Sequence, residues 1–343
     1  MKQINFTDFK IIPIIDSAHR EKISDEVYFS HKYADYISNS RLGYINPRQD
    51  GSPDKYKYPP RINSSSLFMG SCIHELVLQP EIFSLAPKCK KPTAKLGATI
   101  DKIKYYRKKG ESIYNSIVKA SKDCDYYVNQ IDSKISKIIK EGLSYYLISK
   151  DYDDNILTLS DRDWDTCNTC VQNVLSNQAI MSTLHPVDEF QDYLPSFNED
   201  TLFLDILVLY KDKHITLKLK AKADNWTIDE DNKVLTLNDL KTTSHPLAWF
   251  MNKEYGSFVK YHYARQFALY KLMLESFCTK EYGYNHNWEF KGNVLTINTV
   301  DFDSRLFKVN KYQFEQGKRE FEQLLKMVAF YELFGYDKEV DFK

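Results

Sequence analysis

The chain of 343 residues lacks the features that mark membrane and secreted proteins. It has no run of about 18 apolar residues, so we expect no membrane-spanning helix. Residues 1–16 contain neither an apolar core nor a small-residue cleavage site and do not predict a signal peptide. The six cysteines are scattered along a large chain, which indicates reduced thiols and a cytoplasmic location rather than a disulfide framework.

Net charge, repeats and a metal-binding cysteine pattern are also missing. The formal net charge is +0, which does not by itself predict binding to nucleic acid. Cys167 and Cys170 form a CxxC pair, but no second pair completes a metal site. An apolar share of 43% is ample for a packed core, so the chain forms one large domain or two modest ones.

The charges are unevenly distributed along the chain. From Lys88 to Lys122 there are eleven lysines or arginines against two acids, an excess of nine. Tyrosines lie among these cations, and such a mixture can stack on bases and contact phosphates, although a solvated helix face explains it equally well. Residues 188–205 are acidic, and Glu189 within them is either a further metal ligand or a surface acid.

The hydrophobic pattern predicts an α/β fold with a mixed central sheet, flanked by helices, and a helical N-terminal part. Residues 1–60 read as irregular, residues 61–184 as mostly helical, and residues 185–343 as the core that carries the sheet. Within this core we expect one helix over about Tyr255–Cys278 and two short strands around Gly292.

The most informative stretch is Lys218–Thr243, which reads as two strands joined by a turn at residues 231–232. Asp239 and Lys241 are two residues apart on the second strand and share a face, and a hairpin can bring Asp224 close to them. Two carboxylates and a lysine can hold a hard divalent cation and orient a water molecule. The alternative is that these residues are solvated at the strand ends.

Two helices carry further candidates. His74 lies on a helix predicted over residues 64–78, and it is either a packed core histidine or a metal ligand. Gln266 and Tyr270 are four residues apart, so they share one face of the helix that follows the hairpin. Tyr270 is compatible with a plain core role, whereas Gln266 beside it is less expected of a core and could contact DNA or the edge of the site.

Taken in order, these residues resemble the PD-(D/E)xK nuclease superfamily in its RecB-like branch, and most fully the exonuclease VIII (RecE-type) proteins of phages and prophages. The resemblance covers about residues 36–334 and rests on order and spacing, since no single motif is specific. It consists of five features: a Gly70-to-His74 helix followed by Leu-x-Pro-Glu-x-Phe at residues 78–83, Lys220 with Asp224, Asp239 to Thr242, and Gln266 with Tyr270. The chain departs from the family where Lys222-Ala223 replaces a frequent Gly-Arg, and its basic segment has no counterpart that we can align.

The resemblance implies a restriction-endonuclease-like core and Mg²⁺-dependent, or Mn²⁺-dependent, exonuclease activity on linear duplex DNA during phage recombination. Asp224, Asp239, the Leu240 carbonyl and His74 would bind the metal. Lys241 would position the attacking group and offset negative charge, with Gln266 and Tyr270 beside it. It also implies a single-strand annealing protein as a partner and a homo-oligomer, with no role for a membrane.

Two other functions stay open at this point. One is a protein that keeps a nuclease fold without turnover, as a DNA-binding or assembly protein of a phage, although a decayed site usually loses one of Asp224, Asp239 and Lys241. The other is a Cas4-like or repair-type nuclease that lacks the iron–sulfur cluster, because the cysteines do not have the spacing of such a cluster.

Overall fold

The structure, a computed structural model, describes residues 2–60, 65–80, 92, 94–126, 161–283, 288–338 and 340–343, with residues 135, 136, 138, 140, 142 and 146. In these ranges a mixed sheet is flanked by helices, which confirms the predicted fold class. None of the helices within these ranges combines the length and the apolar composition needed to cross a membrane.

The described strands are β1 (Lys2–Ile4), β2 (Phe9–Glu21), β3 (Ser196–Tyr210), β4 (Lys213–Asp229), β5 (Val234–Thr243), β6 (Glu289–Asn298), β7 (Ser304–Val309) and β8 (Val340–Phe342). The described α-helices are Asp25–Tyr28, Asn39–Gly43, Pro53–Lys57, Ser65–Leu78, Ala94–Lys108, Ile113–Asp123, Asp161–Ser176, Gln178–Leu184, Ser257–Lys260, Tyr263–Tyr282 and Lys311–Phe334. Below, Ser65–Leu78 is called the histidine helix, Tyr263–Tyr282 the glutamine helix and Lys311–Phe334 the closing helix.

The chain divides into two compact units. The first unit comprises residues 1–64, 76–79 and 170–343. It contains both described sheets, which are the parallel pair of β1 with β8 and the six-stranded central sheet. The second comprises residues 65–75 and 80–169, where the helices Ala94–Lys108 and Ile113–Asp123 share a small apolar core that includes Ile100, Ile103 and Ile117. The domain boundaries predicted after residues 60 and 184 stay predictions.

The central sheet has the strand order β2-β3-β4-β5-β6-β7, and every neighbouring pair is antiparallel except β5 with β6. Parallel neighbours need a crossover connection, and the glutamine helix lies within the segment that joins β5 to β6. Phe267 and Met273 of this helix are buried in the same apolar cluster as Leu235 and Leu237 of β5. The crossover therefore brings the glutamine helix to the sheet, where Gln266 donates a hydrogen bond to Asp239 of β5.

The prediction that residues 1–60 are irregular is wrong for Phe9–Glu21, which forms the edge strand β2 and pairs with β3. Pro13 lies inside this strand, opposite Ile206. A proline lacks the N–H donor that a central strand needs, but an edge strand tolerates it on its unpaired side. The proline therefore makes the strand hard to recognise in the sequence, although it agrees with the edge position.

Two predictions inside the core are also corrected. The residues around Gly292 form one strand, β6, and not two. A Cβ atom at Gly292 would lie 2.8 Å from ring atoms of Phe267 and Phe314, so this glycine allows aromatic rings to approach the strand closely. The helix predicted from Tyr255 begins at Tyr263, because His262 before it adopts a left-handed conformation with φ 55°.

Candidate metal centre

Asp224 and Asp239 lie where strands β4 and β5 separate. The two strands pair regularly up to Asn225 and Asn238, and the next positions in the same register are Asp224 and Asp239. Like charges directly opposite each other on neighbouring strands are destabilising. The ladder stops there, and Asp224 Oδ2 instead accepts a hydrogen bond of 2.7 Å from the backbone N–H of Leu240. The structure thus brings together the two carboxylates predicted from the hairpin.

Lys241 places its ammonium group between these two carboxylates. Its Nζ lies 2.7 Å from Asp239 Oδ2 and 4.0 Å from Asp224 Oδ2, and it donates a hydrogen bond of 3.1 Å to the Leu240 carbonyl. Burial lowers the pKa of Lys241, but Asp239 and Asp224 outweigh it, so the pKa is raised above its usual value. Lys241 is therefore a fixed cation, and Asp239, whose side chain is 0% exposed, depends on it.

Gln266 and Tyr270 reach the carboxylates from the glutamine helix. Gln266 Nε2 lies 3.2 Å from Asp239 Oδ1 and 3.0 Å from the Tyr270 hydroxyl oxygen, and it donates a hydrogen bond to each. The Tyr270 hydroxyl donates one of 2.6 Å to the Lys222 carbonyl of β4. Burial raises the pKa of Tyr270 well above its usual value, so it stays a neutral donor. These two side chains therefore connect the glutamine helix to both strands of the hairpin.

Glu199 of β3 is a member of the cluster that the sequence analysis missed. A carboxylate oxygen of Glu199 lies within 4.8 Å of one of Asp224, and its side chain is 12% exposed. Burial, followed by the charge of Asp224, raises the pKa of Glu199 to about 7, and Lys222 Nζ at 3.0 Å opposes this shift. Glu199 has φ 54°, a left-handed conformation that is uncommon for this residue type and typical of functional sites.

The signal that could have identified Glu199 is strand register. Tyr210 pairs with Lys213 across a two-residue turn, and this register places residue 199 opposite Asp224. Counting back from the predicted turn at residues 211–213, which pairs Tyr210 with His214, places Asp200 opposite Asp224, one residue away from Glu199. Glu189, the acid that the sequence left open as a ligand, is an exposed turn residue.

A ladder of four asparagines crosses the sheet one residue away from the carboxylates. Asn198, Asn225, Asn238 and Asn293 lie on β3, β4, β5 and β6 and are register partners of one another. Their amides are linked by hydrogen bonds of 2.7 Å, 2.7 Å and 2.9 Å. Because neighbouring residues of a strand point to opposite faces, this ladder lies on the face opposite the cluster and fixes its register.

The ladder also holds the end of the histidine helix within the first unit. Asn198 Nδ2 donates a hydrogen bond of 2.9 Å to the carbonyl of Leu78, the last residue of this helix. His74 lies four residues before Leu78, is half-buried and belongs to the second unit. Its role as a ligand stays a prediction.

The chemistry of the described donors suits a divalent cation. The carboxylates of Glu199, Asp224 and Asp239 offer the oxygen atoms that Mg²⁺ and Mn²⁺ prefer, and they are largely shielded from water. Lys241 and Lys222 balance two of the three negative charges at most, and Lys222 also contacts Asp25 at 2.5 Å. A cation added to this cluster would reduce the remaining repulsion.

We expect Mg²⁺ or Mn²⁺ to raise the melting temperature of the protein, because a ligand that binds only the folded state stabilises it by about 2.7 kcal/mol at 100 times its Kd. Asp224→Asn should lose most of this shift. Asp231→Asn, at the exposed tip of the same hairpin, is the matched control and should keep it. A wild-type melting temperature that does not respond to either metal at millimolar concentration would contradict the assignment of the cluster.

Asn238→Leu should lower the free energy of unfolding by about 1–3 kcal/mol for each buried amide left without its partner. The change removes the acceptor of Asn293 and the donor of Asn225, both of which are buried. Urea denaturation measures the loss, with the exposed Asn115→Leu as the control. Equal unfolding midpoints for the two variants would show that the ladder does not stabilise the sheet.

Among solved structures that resemble this chain, two are similar at low sequence identity. No family model and no curated protein matches the chain. A protein from Eubacterium rectale whose crystal structure is described as that of a "putative exonuclease" is 12% identical, with a TM-score of 0.46 over 93% of this chain and 89% of that chain. Rai1 of Scheffersomyces stipitis, in complex with (3'-NADP)+ and calcium ion, is 10% identical, with a TM-score of 0.21 over 98% of this chain and 84% of that chain. Both TM-scores lie below 0.5, so the functional argument rests on the geometry of the site.

Proposed function

We propose that this protein is a metal-dependent nuclease that hydrolyses phosphodiester bonds of DNA. The observation that carries the proposal is the convergence of Asp224 and Asp239 on Lys241 where β4 and β5 separate, with a carboxylate oxygen of Glu199 within 4.8 Å of one of Asp224. Carboxylates that are held together in a poorly hydrated place and share one lysine are unfavourable for stability alone. The same arrangement is suited to a cation and to a negatively charged substrate.

Asp224, Asp239, the Leu240 carbonyl and Glu199 would hold Mg²⁺ or Mn²⁺. When bound, such a cation lowers the pKa of a water molecule and stabilises negative charge on a phosphate. Glu199 joins the set that the sequence predicts, because its carboxylate lies beside that of Asp224. Its neighbour Lys222 holds it there through a contact of 3.0 Å.

His74 is proposed as a further ligand, as the family resemblance implies. A nitrogen ligand would shift the preference slightly towards Mn²⁺.

Lys241 is the proposed catalytic cation. Its ammonium group is permanently charged and lies beside both aspartates, so it can offset the negative charge that develops on the phosphate oxygens in the transition state. Gln266 and Tyr270 were predicted as catalytic residues, and their hydrogen bonds support a positioning role. Gln266 fixes the carboxylate of Asp239, and Tyr270 fixes Gln266 against β4.

Four further properties are proposed because the resemblance to exonuclease VIII proteins implies them. They are exonuclease action on linear duplex DNA, a function in phage recombination, binding to a single-strand annealing protein and assembly into an oligomer. The basic segment Lys88–Lys122 is proposed to contact DNA, but Lys95 and Lys119, two of its described lysines, pair with Asp125 and Glu111. Fewer of its cations are therefore free for phosphates than the sequence suggests.

The intact set of Asp224, Asp239 and Lys241 favours an active enzyme over a silent DNA-binding protein with a nuclease fold. A repair-type nuclease of the same superfamily differs from the main proposal in its substrate and not in its chemistry. The purified protein should be colourless, and absorption near 400 nm would instead indicate an iron–sulfur cluster.

Lys241→Ala should lower the rate of DNA cleavage by at least about 100-fold, the usual effect of removing one preorganised charge-stabilising group. Gel assays with radiolabelled linear duplex DNA and Mg²⁺ measure the rate, and circular dichroism confirms the fold. Lys218→Ala, at an exposed position on the same face of β4, is the control and should cleave like the wild type. Cleavage by a folded Lys241→Ala protein at the wild-type rate would refute the assignment.

We expect linear duplex DNA to be degraded, closed circular DNA to be spared and EDTA to abolish activity. Activity should also fall steeply between about 50 and 200 mM salt, because each neutralised phosphate releases counterions. Equal cleavage of closed circles and linear DNA would exclude an exonuclease but keep a nuclease. Full activity in EDTA would exclude both, and salt-sensitive binding without cleavage would favour the silent alternative.

A further inference from the structure

Three exposed aromatic rings lie close together in the chain, in the segment 244–261 that follows β5. The side chains of Trp249, Tyr255 and Tyr261 are 52%, 59% and 48% exposed, and we call these three residues the aromatic surface. Trp and Tyr are normally buried to a large extent. Three exposed rings within thirteen residues indicate a surface that contacts something.

Buried residues hold the aromatic surface in place. Trp249 precedes Phe250, which is 3% exposed and stacks on Tyr263 with ring centroids 6.0 Å apart. The side chain of Asn252 accepts hydrogen bonds of 2.9 Å and 3.2 Å from the N–H groups of Glu254 and Tyr255. Trp249 and Tyr255 meet edge to face at 6.1 Å. The exposed rings are therefore preorganised by the packing beneath them.

Tyr261 connects the aromatic surface to the candidate metal centre. The rings of Tyr261 and Tyr263 have centroids 5.9 Å apart, and Lys241 Nζ lies 5.2 Å from the centroid of the Tyr263 ring. These distances correspond to a few nucleotides at the spacing of about 3.4 Å per nucleotide in a strand. A strand that places one phosphate at Lys241 can thus place nearby bases over the aromatic surface.

The charges around these rings suit a polyanion. Lys253 and Lys260 are exposed in the same segment, and Lys260 Nζ lies 5.4 Å from the centroid of the Tyr261 ring. Glu254 is the single acid of the segment, so the segment has a net positive charge. Aromatic rings next to lysines are the combination with which proteins bind single-stranded nucleic acid, because every base has a face on which a ring can stack.

We infer that Trp249, Tyr255 and Tyr261 bind the unpaired bases of a single-stranded DNA end next to the phosphate to be cleaved. The inference rests on the proposed function only for its second half, the position beside the scissile phosphate. Bases inside a duplex stack on one another and do not offer their faces, so the aromatic surface selects a single strand or a frayed end. It gives affinity without sequence preference.

Binding of a single-stranded dodecamer of thymidine in EDTA tests the inference without any cleavage. Trp249 is the most exposed of the four tryptophans, since Trp226 and Trp288 are buried and Trp164 is half-buried, so stacking should quench tryptophan fluorescence mainly through Trp249. Trp249→Ala should weaken binding about 10-fold, and Trp249→Phe should retain most of the affinity but lose most of the quenching. Tyr261→Ala should weaken binding to a similar degree.

Two controls separate stacking from charge and from misfolding. A dodecamer with abasic sites in place of the bases should bind wild type and Trp249→Ala equally, because only the phosphates remain. Tyr58→Ala removes an exposed ring elsewhere and should bind like the wild type. Tyr58 is two residues after Tyr56, whose ring stacks on that of Tyr336. These rings lie near the turn between β3 and β4, at the opposite end of the two strands from Glu199.

The outcomes distinguish the inference from the proposed function. Wild-type affinity of a folded Trp249→Ala, Tyr261→Ala double variant for the thymidine dodecamer would overturn the inference and leave the surface to a protein partner. Cleavage of linear DNA would still support the nuclease in that case. Conversely, quenching through Trp249 in a protein that cleaves no DNA would support the aromatic surface and refute the nuclease.

Discussion

Carboxylates that are gathered at one place with little access to water raise the free energy of the folded chain unless positive charge lies among them. Glu199, Asp224 and Asp239 are in this situation, with side-chain exposures of 12%, 13% and 0%. Lys241 and Lys222 reduce the repulsion, yet burial, followed by the charge of Asp224, still raises the pKa of Glu199 to about 7. The arrangement is understandable if the chain has been built around a cation and a phosphate rather than for maximal stability.

The surrounding structure explains how such a cluster can persist. On the face of the sheet opposite the cluster, the asparagine ladder holds four strands in one register through amides of which three, those of Asn225, Asn238 and Asn293, are buried. A slip of one residue in any strand would break its amide links and move the carboxylates to the other face. On the cluster's own side, the glutamine helix adds Gln266, which donates a hydrogen bond to Asp239, and Tyr270, which donates one to the backbone of β4. Polar networks of this kind specify one geometry because every unmade bond is costly.

Much of this site follows from local sequence. Asp224, Asp239 and Lys241 could be predicted because alternation within a strand and a tight turn fix which residues share a face. Gln266 and Tyr270 could be paired because helical spacing places them on one side. Glu199 could not be found by such rules alone, since it joins the cluster through its register with Asp224 and through a left-handed backbone conformation that no pattern in the sequence announces.

The features that escaped prediction depend on packing between elements distant in sequence. Strand β2 contains a proline, which is compatible with a strand because β2 lies at the edge of the sheet. The sequence around Gly292 suggests a turn, whereas this glycine lies within a strand where the rings of Phe267 and Phe314 pack against it. The break at His262 likewise separates two helices that look continuous in the sequence. The fold class could be predicted because hydrophobic periodicity is local, whereas strand order and bulges come from tertiary contacts.

We propose that the carboxylates of Asp224 and Asp239 share a divalent cation. Crystals soaked in Mn²⁺ and measured at a wavelength where manganese scatters anomalously test it most directly. We predict an anomalous difference peak within coordination distance of both carboxylates and of the Leu240 carbonyl, and no such peak in Asp224→Asn crystals. A fully occupied manganese peak elsewhere on the protein, with none at this cluster, would contradict the account.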